Sequence, residues 1–348
     1  MTAASFPPVM ELSRSDAATI LAFLSYGEAS EKDRLRSSGT SRTSYHESRR
    51  RIYDHRWIQD RYVPEPRWVG FPHVAFGLSR PLADRADQYL RNVFAFPGAV
   101  VLWAMPTCVL GTFFLRNGTE AARFSGLWSD PNSVSDSSFV ICDPSQGEVA
   151  AYFDYEGLWG HLSGRSGTAG YPRGLPRGTS SGSSPTLGPA RELFQEVSGM
   201  VGSAGAVYLH RSSGLRRSQR LLVEKGLISR RVFLGPGPVP GFGGRNMNRL
   251  LFVTGSMAPG SHARDLLLAL TTAAGAFPYL VAAGGGQAVI GFLGQADPPP
   301  QANAASAFGT LILPALRPLL TDIKVFQGDT ATIVPWLDHR YERLFSVA

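Results

Sequence analysis

Arg49-Arg50-Arg51-Ile52-Tyr53-Asp54-His55-Arg56-Trp57-Ile58-Gln59-Asp60-Arg61 lies without a gap on Gln219-Arg220-Leu221-Leu222-Val223-Glu224-Lys225-Gly226-Leu227-Ile228-Ser229-Arg230-Arg231. Further along, Ala95-Phe96-Pro97 matches Ala276-Phe277-Pro278, and Val109-Leu110-Gly111 matches Val289-Ile290-Gly291. The matches keep their order in both halves and share an apolar pattern. They predict two copies of a unit of about 170 to 180 residues, the signature of an internal repeat.

The 348 residues are enough for several cores, with 43% hydrophobic and 18% charged residues. Between the copies, residues 160–189 carry Gly, Ser, Pro, Thr and Arg but no acid, so a flexible linker is expected there. In the first copy, Ser13 or Ser15 caps a helix bearing Ala17, Ile20, Leu21 and Leu24. A second helix runs over 30–37 and stops at Gly39. Ser41 caps a third through about His55, with Tyr45, Ser48 and Ile52 inward and Arg42, Thr43, His46, Arg49 and Arg50 outward. Residues 59–68 read as a strand–turn–strand wing.

The second copy is expected to place its third helix over 213–225, with Arg216, Arg217 and Arg220 outward and a Gly/Pro-rich wing over 233–242. After each wing comes a βαββαβ order, which gives a ferredoxin-like sandwich. The expected fold class is α+β: two copies of a winged helix-turn-helix followed by such a sandwich. The expected domains are 12–69 (winged helix 1), 70–159 (sandwich 1), 160–189 (linker), 190–242 (a degenerate winged helix 2) and 243–348 (sandwich 2).

The net charge of +7 is unevenly placed. Residues 31–67 hold ten Lys/Arg against six acids, and 211–231 hold seven against one. Two basic islands on a slightly acidic body suit a polyanionic partner touched at two places. No run reaches the roughly 18 apolar residues of a membrane span, and the first residues do not read as a signal peptide. A cytoplasmic, nucleoid-associated protein is expected. Seven scattered histidines and two cysteines, Cys108 and Cys142, form no HExxH or CxxC pattern. Gly284-Gly285-Gly286 reads as a hairpin turn rather than a phosphate loop. The expectation is therefore no metal, no cofactor and no enzyme, with both cysteines as buried thiols.

On this order of elements the chain resembles the Lrp/AsnC family of feast/famine regulators. The likeness is carried by Ser41-Arg42-Thr43 opening the third helix, Trp57-Ile58 leading into the wing, and Phe96-Pro97-Gly98 before a hairpin ending in Val109-Leu110-Gly111. It implies a sequence-specific regulator of double-stranded DNA, responsive to a small-molecule effector and self-associating through its ferredoxin-like domains. The family has one unit per chain and this sequence has two, so an intramolecular pseudo-dimer is expected. The expected DNA contacts are Ser41, Arg42, Thr43, His46, Arg49 and Arg50, with Arg216, Arg217 and Arg220 equivalent in the second copy. Arg61 and Arg231 are expected on phosphates. Two other readings use the same layout: a low-specificity architectural DNA binder, and an Lrp-like enzyme of the sirohaem decarboxylase kind with a pocket between paired units.

Overall fold

The computed structural model describes residues 13–25, 30–55, 58–64, 69–143, 149–151, 228–234, 249–262, 265–266, 269, 277–294, 313–329, 332–338 and 340–345. It opens with three helices, α1 (Arg14–Ser25), α2 (Glu31–Ser38) and α3 (Arg42–Asp54). Their ends follow from local chemistry. The Asp16 amide donates to Ser13 Oγ at 3.1 Å, while the Ser13 amide and hydroxyl donate back to the Asp16 carboxylate. This reciprocal cap satisfies amides that the first turn leaves open. Ser30 and Ser41 cap α2 and α3 from extended conformations, and Gly39 ends α2 in the left-handed region at φ 62°.

Ile20, Phe23, Tyr45 and Ile52 are fully buried between the helices. The Phe23 and Tyr45 rings stack at 6.2 Å, and Tyr53 meets Phe23 edge-on at 5.8 Å. Arg51 clamps α3 to α1 through two hydrogen bonds to Asp16 Oδ1, at 3.1 and 2.8 Å. Burial disfavours the Asp16 carboxylate, but hydrogen bonds from Ser13, Arg51 and Ser48 and the Arg51 charge outweigh it and hold its pKa below the usual value. The resulting stabilisation is present above about pH 4 and is lost as pH falls through the depressed folded value. Asp16→Asn is therefore expected to flatten the acid limb of the thermal midpoint against pH. Superimposable acid limbs for the two proteins would refute this.

The next element has a partner that the expected wing did not include. Strand β1 (Ile58–Pro64) pairs antiparallel over its whole length with β7 (Ile228–Leu234) of the other half, in a two-stranded ribbon. The return of the expected wing, after Pro64, lies outside the described residues, and the partner that β1 shows comes from far along the chain. Arg61 stands directly opposite Arg231 at the centre of the seven-residue register. These residues are also each other's counterparts in the sequence repeat, so the ribbon's local two-fold passes through this pair.

Two five-stranded antiparallel sheets follow. The first has β2 (His73–Pro81), β3 (Ala99–Ala104), β4 (Val109–Leu115) and β5 (Val134–Cys142), crossed by α4 (Ala86–Phe94) and α5 (Gly118–Trp128). The second has β8 (Arg249–Met257), β9 (Phe277–Gly284), β10 (Gln287–Gly294) and β11 (Leu320–Asp329), with the described turns of α6 (Leu313–Leu316). Gly285 and Gly286, at φ 54° and 73°, make the two-residue turn between β9 and β10. Each sheet borrows its fifth strand from the other half. β12 (Val334–Leu337) joins the first beside β3, and β6 (Val149–Ala151) joins the second beside β9, giving orders β12-β3-β4-β2-β5 and β11-β8-β10-β9-β6. The exchange is reciprocal, and the sequence reading did not contain it.

The helix-facing core of the first sheet includes Ala75, Leu102, Phe113, Phe124 and Trp128. Gly77 and Gly111 sit opposite each other on β2 and β4 and leave a bare strip under the Trp128 indole. The indole N–H donates to Leu78 O at 3.2 Å. On the other face, Arg80 reaches β11, donating to Val325 O at 2.7 Å with its guanidinium 4.7 Å from the Phe326 ring centroid. Lys324 meets Asp136 at 2.7 Å, and the Cys108 thiol lies 3.4 Å from Gln327 O. These contacts cover the edge of β11, which would otherwise offer unpaired backbone groups. Cys108 and Cys142 are buried thiols as expected, and burial pushes the Cys108 thiol up to about 11.

Candidate nucleic-acid interface

The geometry of α3 follows from its 3.6-residue period. Tyr45, Ser48 and Ile52 fall inward and are all 0% exposed, so residues one position away are turned out. Ser41 Oγ accepts from the Ser44 amide at 3.2 Å, setting the first turn. Arg42, Thr43, His46 and Arg50 are exposed. The Arg50 side chain is 85% exposed, with Asp54 at 3.7 Å one turn on. Such a row, on a helix docked by its opposite face, has the width and donor set to reach base edges in a major groove.

Arg49 differs from its neighbours. Its Nη1 is bonded to Glu31 Oε1 at the start of α2, and its side chain is 21% exposed. The same carboxylate oxygen lies 3.7 Å from His46 Nδ1. Sequence reasoning missed Glu31, counting it only among the acids of a basic window. Its contact with Arg49 crosses from one helix to another, and no spacing rule within a helix reports it.

Arg61 and Arg231 stand at the centre of the ribbon, brought together by backbone pairing. Arg216, Arg217 and Arg220, and with them the rest of the second expected helix-turn-helix, lie outside the described residues, as does the linker. Among the described residues, no three His, Cys, Asp or Glu are grouped to hold a metal ion, and no helix is long and apolar enough to cross a membrane.

No family profile matches the chain, and no curated protein matches it. Among solved structures, siroheme decarboxylase NirDL is similar over 95% of this chain and 97% of its own, with 10% identity and a TM-score of 0.44. NirDL with an iron-uroporphyrin III analogue is similar over 90% of each chain, with 8% identity and a TM-score of 0.43. A transcriptional regulator of Neisseria meningitidis solved with L-Met covers 38% of this chain and 89% of its own, at 16% identity and TM-score 0.31. AsnC of E. coli covers 38% and 93%, at 11% identity and TM-score 0.30. The neighbours thus include both AsnC-type regulators and an enzyme. The expectation that the chain is not an enzyme is corrected accordingly, because the structures spanning 90–95% of it are of a decarboxylase.

Proposed function

We propose that this chain is a sequence-specific double-stranded DNA-binding regulator whose two halves act as one pseudo-dimer. The observation that carries the reading is the division of α3: Tyr45, Ser48 and Ile52 fully buried, and Arg42, Thr43, His46 and Arg50 presented outward. Arg42 and Arg50 are assigned to guanine edges, with Thr43 and His46 beside them, and Arg61 and Arg231 to phosphates. Arg216, Arg217 and Arg220 are proposed to do equivalent work in a second helix-turn-helix. The ribbon's local two-fold favours a tandem pair of units, for which the proposed divisions are 12–69, 70–159, 160–189, 190–242 and 243–348, with β6 and β12 crossing between the two sandwiches. Two related but non-identical helices would prefer two inverted, unequal half-sites. A small-molecule effector and nucleoid association belong to the same proposal.

Selection of duplexes from a random pool, followed by a salt titration on the winner, tests it. An enriched two-part motif is expected. Arg42→Ala and Arg50→Ala are each expected to weaken the selected duplex by roughly 5- to 150-fold, the range of one bidentate base contact of about 1–3 kcal/mol. Sequence preference intact in both variants would sink the assignment. Strong, salt-steep binding with no enrichment would give the architectural reading instead. No duplex binding, with a Soret shift on adding an iron-uroporphyrin, would give the enzyme reading.

A further inference from the structure

We infer that Glu31 is a positioning residue for base readout, holding Arg49 and His46 in place so that they read bases rather than clasp phosphates. The inference rests on the DNA-binding reading above. Glu31 is the first residue of α2, directly after its cap Ser30, and its side chain is 48% exposed. One carboxylate oxygen bonds Arg49 Nη1 and lies 3.7 Å from His46 Nδ1. His46 and Arg49 are three apart on α3 and so share the side of the helix that faces α2.

Two arginines adjacent in sequence thereby differ in kind. Arg50 is 85% exposed, whereas Arg49 is 21% exposed and fixed at one end of its guanidinium. A carboxylate against Arg49 offsets the charge that a phosphate would attract. It also fixes the plane of the guanidinium, and a directional acceptor such as a guanine edge depends on that orientation more than a phosphate does. His46 lies beside the same carboxylate, and its ring meets Tyr45 edge-on at 5.6 Å. An exposed ion pair contributes little to folding, so the effect of Glu31 falls on recognition. A negative charge at the edge of a polyanion-binding face also lowers binding to any sequence, and this sharpens discrimination from the other direction.

The test compares the full-length protein with Glu31→Gln, Arg49→Ala and the double variant, on the selected duplex and on a scrambled one. Glu31→Gln is expected to bind the scrambled duplex more tightly, with a salt slope steeper by roughly one released counterion. Its discrimination between the two duplexes is expected to fall about tenfold, at an unchanged thermal midpoint. The loss of discrimination in the double variant is expected to fall short of the sum of the two single losses, because the two residues act in part as a unit. Glu31→Asp, one methylene too short for the contact, is expected to lose discrimination as well. Wild-type slope and discrimination in Glu31→Gln, or additive effects in the double variant, would overturn the inference while leaving the DNA-binding reading standing. A changed midpoint with unchanged slope would overturn it as a purely structural contact. Failure of the wild-type protein to discriminate would overturn both.

Discussion

Truncating the chain after Asp329 is expected to unfold the first sheet, although none of the residues of β2 to β5 is touched. The lost segment supplies β12, whose Val334, Pro335 and Leu337 stand opposite Ala104, Trp103 and Leu102 of β3. Leu337 is 4% exposed and belongs to the same core as Leu102 and Trp128. Beyond it, Tyr341 packs against Phe114 at 5.9 Å, Leu344 is fully buried, and Arg343 donates to Phe94 O at 2.6 Å. Removing a single buried Leu side chain costs about 2–5 kcal/mol, and whole domains are stable by only about 5–15 kcal/mol. Loss of several such side chains together with a ladder of backbone hydrogen bonds exceeds that margin. Hydrogen exchange of the β3 amides reads the effect. Wild-type protection in the truncated protein would show that the borrowed strand is dispensable.

Gly77→Ala is expected to be nearly as damaging as removing the tryptophan it faces. A Cβ at Gly77 would fall 2.3 Å from Trp128 Cε2 and 2.5 Å from its Nε1, distances that no small adjustment relieves. Trp128 has little room to retreat, with the Phe113, Phe124 and Tyr89 rings at 5.2, 5.7 and 6.0 Å. Trp128→Ala should cost about 3–5 kcal/mol through the cavity it leaves. Overpacking at Gly77 adds a strain of about 1–3 kcal/mol and breaks the indole bond to Leu78 O as the ring shifts. Urea unfolding checks both substitutions. A Gly77→Ala midpoint equal to wild type would mean that the helix carrying Trp128 rides freely on the sheet.

The parts of this protein that the sequence made legible are those whose causes are local. The caps at Ser30 and Ser41, the stop at Gly39 and the inward set Tyr45, Ser48 and Ile52 each rest on residues within a turn or two of one another. Strand β4 opens on the Val109-Leu110-Gly111 run that the sequence marks as the end of a hairpin, and Asn117 caps α5 beyond it. Helix α4 begins only at Ala86, because Leu82 to Arg85 form a turn in which the Arg85 amide donates to Leu82 O. What stayed hidden is partnership. Alternation along β1 tells which residues share a face but not that the neighbour is β7, and the wing was expected because a nearby return is the commoner solution. The same holds for the candidate site. The exposed row on α3 was readable from periodicity, whereas the hold of Glu31 on Arg49 arises only when α2 and α3 pack.

The exchange of β6 and β12 also sets a timetable for synthesis. The ribosome completes β3 early, but the strand that closes its outer edge is made about 230 residues later. At about 5–20 residues per second that interval is roughly 10–50 s. During it the nascent first sheet carries an open edge along Leu102, Trp103 and Ala104, the residues that β12 later pairs. The molecule therefore cannot mature half by half as it emerges. Its first sheet must wait, exposed to chaperones and to other nascent chains, until β12 has been made.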